Sequence, residues 1–302
     1  MKFFRKRFVW AACYALALTI FTAYVALDTF VIPRTYAVLP QSTAQAESAS
    51  DAVEPTSAPI VTENTYADGS VTITLTQYRA YDTTVYVADV TLASADALKT
   101  AFAENSYGRN IKEATSDIAG ESGAILAING DFYGARTSGY VIRNGVLYRA
   151  TAASASQQDL VIYEDGSFEI VREGDVTAEE LLAAGAAQVL SFGPGLVENG
   201  ETTVTADEEV DQAMTSNPRT AIGIIDQLHY VMVVADGRTG ESAGLSLYEL
   251  ATFMQGLGVT TAYNLDGGGS STMYFNGEVV NNPTTNGKSI QERSVSDIVY
   301  IN

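Results

Sequence analysis

The sequence predicts an α+β domain with a mixed, largely antiparallel sheet and a few packed helices, preceded by one N-terminal transmembrane helix. Three observations carry that expectation. Strand-like runs outnumber helical ones and follow no βαβα order. Three Asn-Gly or Asp-Gly pairs separate apolar runs, the strongest short-range hairpin signal. An uncharged run of twenty residues, Phe8 to Leu27, stands near the N-terminus.

That run rises about 1.5 Å per residue as a helix and so matches the roughly 30 Å hydrocarbon core of a bilayer. Lys2, Arg5, Lys6 and Arg7 precede it, and positive flanks stay in the cytoplasm. The expected organisation is a basic stub over 1–7, a membrane anchor over 8–32, a disordered linker over 33–65 and a globular domain over 66–302. Such a chain is a single-pass cell-membrane protein with its C-terminal domain extracytoplasmic. A cleaved signal peptide is the competing reading, but the run exceeds the roughly 7–15 apolar residues of such a segment. The linker follows from composition: residues 41–63 are rich in Ala, Ser, Thr, Pro and Glu, with little apolar periodicity.

From Ser70 the texture changes. Val71-Thr-Ile-Thr-Leu75 alternates with period two, and Thr84-Val-Tyr-Val-Ala-Asp-Val90 reads as a second strand. The hairpin turns are Asn144-Gly145, Asp165-Gly166 and Asn276-Gly277. Thr177-x-x-Glu180 and Ser246-x-x-Glu249 each precede an apolar run and fit the capping box. The second helix ends at Gly256 or Gly258.

Composition excludes several chemistries. The only cysteine, Cys13, lies in the apolar run, so the domain has no disulfide, thiol nucleophile or Cys-ligated metal. The one histidine, His229, stands at the start of an apolar strand, which argues against a Ser-His-Asp triad and against His-based zinc sites. After Pro40 there are 35 acidic and 12 basic residues. That surface does not seek nucleic acid or anionic lipid; the membrane is met through the N-terminal helix only. Nine of the 12 cations are Arg, and six (Arg136, Arg143, Arg149, Arg219, Arg238, Arg293) stand in the motif-bearing segments described below. Arg in such company suits a planar, bidentate anion site, whereas any one taken singly reads as a surface ion pair.

Three apolar runs end in Asp beside Gly: Ala124 to Asp131, Tyr230 to Asp236, and Ala262 to Asp266. Asp-Gly is also ordinary turn chemistry, yet three such tips in one domain point to a shared functional rim. The stretch Asp266-Gly267-Gly268-Gly269-Ser270-Ser271-Thr272 is the most specific. Its glycines allow close backbone approach, and successive N–H groups form an anion nest. What remains for catalysis is carboxylate chemistry. Two carboxyls flanking a sugar C1–O bond suffice for glycosidic cleavage, and a phosphate leaving group departs readily when Arg offsets its charge. The sequence demands no cofactor, although clustered Asp also suits Ca²⁺ or Mg²⁺.

Asn129-Gly-Asp-Phe-Tyr133, Asn217-Pro-Arg-Thr-Ala-Ile-Gly223, Asp236-Gly-Arg238, Asn264-Leu-Asp-Gly-Gly-Gly-Ser-Ser-Thr-Met273 and Glu292-Arg-Ser-Val-Ser-Asp297 occur in the order found in the phosphodiester glycosidase family. The chain resembles that family over roughly residues 70–302. The resemblance implies hydrolysis at the anomeric carbon of an α-linked sugar-1-phosphodiester, of the GlcNAc-1-phosphate type, on an envelope or exopolysaccharide glycopolymer. On that reading Asp266 is the carboxylate nearest the chemistry, with Asp131 and Glu292 competing for the second role. Arg219, Arg238 and Arg293 are the phosphate candidates, followed by Arg136 and Arg143. Asn129 and Asn264 orient sugar groups, and Gly267, Gly268, Gly269 and Ser270 form the binding bend. The rival readings are a non-catalytic glycopolymer-binding module and a sugar or sugar-phosphate transferase.

Overall fold

The structure, a computed structural model, describes residues 9–39, 58–208 and 216–302. The basic stub expected over 1–7 and most of the expected linker lie outside the described residues.

Helix α1 (Val9–Phe30) has no buried residue and is long and apolar enough to cross a membrane. Three residues later the chain enters β1 (Arg34–Val38), which pairs antiparallel with β7 (Ser106–Arg109). The expected linker is therefore wrong at both margins. Arg34–Val38 is a strand, and β2 (Ile60–Val61) and β3 (Thr65–Ala67) already belong to the main sheet. Composition missed them because these short segments gain their order from the strand edges they meet.

The main sheet has nine strands. In order they are β15 (Glu201–Thr202), β14 (Gly195–Glu198), β18 (Thr261–Asn264), β16 (Arg219–Asp226), β17 (His229–Ala235), β5 (Thr83–Leu92), β4 (Val71–Ala80), then β3 and β2. A second sheet runs β20 (Glu278–Val279), β19 (Met273–Phe275), β8 (Leu126–Asn129), β21 (Asp297–Ile301), β6 (Leu98–Phe102). A third runs β10 (Val146–Arg149), β9 (Val141–Arg143), β13 (Ala186–Leu190), β11 (Gln158–Tyr163), β12 (Phe168–Arg172). Every described strand pair is antiparallel. The three Gly-containing turns do join hairpins: β9–β10, β11–β12 and β19–β20. At two of them both central residues have positive φ: Asn144 50° and Gly145 73°, Asn276 52° and Gly277 97°. That is the backbone a two-residue hairpin needs.

The sheets share one core. Ile73, Val90, Ile222 and Met232 of the main sheet meet Leu126, Ile128, Phe275 and Val299 of the second and Leu160 and Leu190 of the third. Strand β17 is buried on both faces, which explains its unbroken apolar run. Tyr230, Met232 and Val234 enter the shared core, while Val231, Val233 and Ala235 pack against α4 (Leu247–Gly256). Helix α3 (Ala178–Ala183) covers the third sheet and α2 (Thr115–Glu121) the second. Both expected capping boxes form, Thr177 with Glu180 and Ser246 with Glu249. Gly258, at φ +84°, follows the end of α4. Each cap satisfies two N–H groups that the helix leaves orphaned.

Candidate active site

Register brings the motif-bearing tips to one rim. Arg219, at the start of β16, lies opposite Ala235 at the end of β17, and Ala221 lies opposite Asn264 at the end of β18. On the second sheet Asn129, at the end of β8, lies opposite Ile298 at the start of β21. The sheets are joined at this rim by main-chain bonds. The Asp266 N–H donates to Gly130 O (3.2 Å), and the Gly268 N–H donates to Pro218 O (2.8 Å).

Asp266 is the acidic side chain the rim presents. It is 8% exposed. Arg293 Nη2 donates to its Oδ2 at 2.8 Å, and the same guanidinium reaches Ser270 Oγ through Nε at 2.8 Å and Nη2 at 2.5 Å. Burial raises the Asp266 pKa above the ordinary carboxylate range, and the Arg293 charge pulls against that rise. Arg238 stands at φ +61° and lies over Gly268, where a Cβ would come within 3.0 Å of its Nη2. It donates to Thr285 O (2.6 Å) and Asn217 Oδ1 (2.9 Å), while its buried Nε meets no protein acceptor. Burial and the nearby Arg293 charge both lower the Arg238 pKa. Two guanidinium groups close enough to repel, beside one carboxyl, make a site that attracts an anion.

Arg219 is buried beneath the bend, with its Nε donating to Leu245 O at 2.8 Å. A Cβ on Gly267 would sit 2.8 Å from Pro218 O, so only glycine fits between that carbonyl and the Arg219 stem. The bend itself corrects one expectation. Three of its N–H groups are not free for an anion: those of Gly268, Ser270 and Ser271 donate to Pro218 O, Gly267 O and Gly268 O. The short 3₁₀ turn Gly268–Ser270 spends them on the backbone.

Three further expectations change. Asp131 and Arg143 are enclosed, 0% and 2% exposed, and therefore cannot meet a substrate. Arg143 Nη2 lies 2.9 Å from Asp131 Oδ2 and 2.8 Å from Asp297 Oδ2, forming a buried triad under the rim. Asp131 also accepts from the N–H groups of Tyr133 (3.1 Å) and Ser191 (2.7 Å). Burial, then the Asp131 charge, pushes the Asp297 carboxyl above the ordinary carboxylate range. Glu292 turns away from Arg293 and accepts from Ser116 N (3.1 Å) and Oγ (2.5 Å) in the first turn of α2. Consecutive residues of an extended chain point oppositely, so Glu292 and Arg293 serve different neighbours.

Asn129 and Asn264 stitch the rim together. Asn129 Nδ2 donates to Asp266 O (2.7 Å), and its Oδ1 accepts from Thr220 Oγ1 (2.8 Å). Asn264 Nδ2 donates to Gly193 O (2.8 Å). Arg136 reaches Ser191 O (3.0 Å) and lies over the Phe192 ring, 5.2 Å from its centroid. Asp236 holds Asn281 and Asn282, and Asn281 in turn holds Ser271 O (3.0 Å). Among the described residues no three of His, Cys, Asp and Glu converge as a metal-binding group. Asp131, Asp236 and Asp266 serve separate partners. His229 pairs with Asp89 at 3.0 Å, half-exposed and on another part of the sheet.

Sequence reasoning missed Asp297, which stands in a quoted motif without a role, and Asp159, which stands in none. Asp159 is 0% exposed and lies beside Ser191 and Glu173. Burial, then the charge of Glu173, pushes it up to about 9. It is the second residue of β11, between two Gln and the apolar Leu160-Val161-Ile162, and no local pattern marks it.

The chain is 30% identical over 185 residues to mouse N-acetylglucosamine-1-phosphodiester alpha-N-acetylglucosaminidase, covering 56% of this chain and 35% of that protein. It is 29% identical over 182 residues to the SPbeta prophage-derived uncharacterized protein YomE of Bacillus subtilis, covering 58% and 28%. The chain thus spans about a third of the length of the curated relatives it matches. The solved catalytic domain of the zebrafish N-acetylglucosamine-1-phosphodiester alpha-N-acetylglucosaminidase, auto-inhibited by its pro-peptide, shares the fold, with a TM-score of 0.61 and 21% identity over 77% of this chain and 82% of that one. Residues 122–302 match the family model described as phosphodiester glycosidase. With well over half its length in that match, the chain belongs to the phosphodiester glycosidase family.

Proposed function

We propose that this chain is an extracytoplasmic hydrolase that cleaves the anomeric bond of an α-linked sugar-1-phosphodiester, of the GlcNAc-1-phosphate type, on an envelope or exopolysaccharide glycopolymer. The observation that carries this reading is the rim constellation: Asp266 paired to Arg293, with Arg238 beside them over the glycine bend. Family membership supports the reaction class, and the mouse relative's name supplies the sugar type. The apolar helix α1 supports the location.

The chemistry needs little from the protein. Arg238 and Arg293 hold the phosphate and offset the charge that builds on it as the C1–O bond breaks, so a strong general acid is not required. The bond's electron pair leaves with the phosphate monoester. Water attacks C1, and ionised Asp266 takes its proton, having first stabilised the positive charge at C1. The test is incubation of the full chain with a defined α-GlcNAc-1-phosphodiester. Free reducing sugar and a phosphate monoester are expected. Binding without release would favour a non-catalytic module, and release that needs an added sugar acceptor would favour a transferase.

A further inference from the structure

The junction between α1 and the domain has no slack. Only Val31, Ile32 and Pro33 separate Phe30 from β1. The domain also grips the helix end directly. Arg109 Nη2 donates to Thr29 O (2.8 Å), and Asn110 Nδ2 donates to Thr29 O (3.3 Å) and Ile32 O (3.1 Å). These bonds satisfy carbonyls that a helix C-terminus leaves open, so the helix end is part of the domain surface.

From there a continuous path leads to the rim. Tyr36 of β1 packs on Tyr107 (centroids 5.9 Å apart), and Tyr107 stacks on Tyr133 (5.5 Å, 16° between planes). Tyr133 follows Phe132, and Gly130, three residues before Tyr133, accepts from the Asp266 N–H. The Asn110 N–H, beside the helix end, donates to Gly134 O (3.0 Å). Gly130 and Gly134 are four residues apart, at most about 14 Å of extended chain. Apolar side chains stand exposed along this path (Val31 60%, Tyr36 61%, Val38 72% and Phe132 36%), with the Arg34–Asp28 ion pair and Thr35 among them. Phe132 also stands at φ +69°, a conformation a bulky side chain rarely adopts.

We propose that the Phe132 loop rests in the headgroup layer of the membrane that α1 spans, and that the site takes sugar phosphodiesters held at that membrane surface. The apolar, aromatic residues continue directly from the end of the spanning helix, where aromatic side chains favour the interface. The domain's acidity does not oppose this, because the contact is apolar and aromatic rather than basic. The substrate half of the inference rests on the phosphodiester reading above.

Trp10 is the sole tryptophan, so the full chain carrying Trp10→Phe and Phe132→Trp reports from the loop alone. It is reconstituted into phosphatidylcholine vesicles with brominated acyl chains. Quenching by bromine near the headgroups, with shielding from aqueous iodide, is expected. Emission quenched by iodide and indifferent to bromine overturns the docking. In a second arm Phe132→Ser is compared with wild type on an α-GlcNAc phosphodiester with a long-chain lipid aglycone in vesicles and on the methyl diester in solution. A loss of about tenfold or more on the lipid substrate, with the soluble one unchanged, is expected from the lost apolar contact. Equal rates on the lipid substrate, or equal losses on both, overturn the membrane-held substrate. If wild type cleaves neither diester, the phosphodiester reading itself fails, and quenching alone decides the docking.

Discussion

Arg293 donates from Nη2 to Oδ2 of Asp266 at 2.8 Å, so the rim carboxyl is held by a cation that also touches the glycine bend through Ser270. One side chain thereby sets the orientation of Asp266 and, on the proposed reading, adds charge for a phosphate. Burial works against this pair by raising the Asp266 pKa. A proton-accepting carboxyl with a raised pKa is a better base at neutral pH than an exposed one.

Asp266→Asn keeps the shape and removes the base. Turnover of a sugar-1-phosphodiester should fall by about 10²-fold or more, with the fold intact by circular dichroism. In the wild type the acid limb of the pH–rate profile should lie above the ordinary carboxylate range, because activity needs the ionised form and burial delays ionisation. A limb within the ordinary range would separate the limiting group from Asp266.

Arg238→Ala removes the guanidinium over Gly268 while leaving the Asp266–Arg293 pair. A loss of about tenfold or more in kcat/KM is expected, the scale of one charged hydrogen bond. Lys at this position should restore little, because a point charge does not reproduce the planar fork on Thr285 O and Asn217 Oδ1. Steady-state kinetics of the three proteins decide it.

Arg143→Met should cost stability rather than chemistry alone. It leaves Asp131 and Asp297 buried without their shared cation, and breaking such an ion pair costs about 3–5 kcal/mol. Urea unfolding should show a lower midpoint at an unchanged slope. An unaltered midpoint would mean the triad contributes nothing.

Asp159 yields a pH prediction with a definite sign. The unfolded chain releases this proton near 3.8 and the folded chain near 9. Between those values the folded state binds more protons, so its stability falls as pH rises, by about 1.4 kcal/mol per unit for one proton. Stability from this group is complete below the unfolded value and is lost on the way up to the folded one. Asp159→Asn cannot ionise, and its unfolding free energy should decline less steeply between about pH 5 and pH 8. Parallel curves would contradict the buried neutral acid.

Much of this molecule was legible in its sequence because local chemistry and tertiary structure agree. The Asn144-Gly145 turn requires positive φ at both residues, and the Thr177 and Ser246 caps act within one helical turn, so neither depends on distant residues. The convergence of the three Asp-Gly tips was also readable, since buried strands that end together form a rim. Which carboxyl faces outward was not. Asp131 and Asp266 both follow an apolar run and border glycine, yet Arg143, from a different sheet, takes Asp131 inward. Arg143 and Arg293 likewise look alike in sequence, and only the third dimension pairs one with a buried triad and the other with the rim. Strand β1 was hidden for a similar reason: its order comes from β7, some seventy residues away.

The central claim is that the bond broken is the sugar C1–O bond rather than a P–O bond, and one measurement addresses it. The full chain is allowed to hydrolyse an α-GlcNAc-1-phosphodiester in water enriched in heavy oxygen, and the released phosphate monoester is read by phosphorus NMR. Cleavage at the sugar carbon leaves that phosphate with none of the heavy isotope. Incorporation of the isotope on phosphorus would mean the water attacked there instead, and the glycosidase account of Asp266 and its two arginines would be wrong.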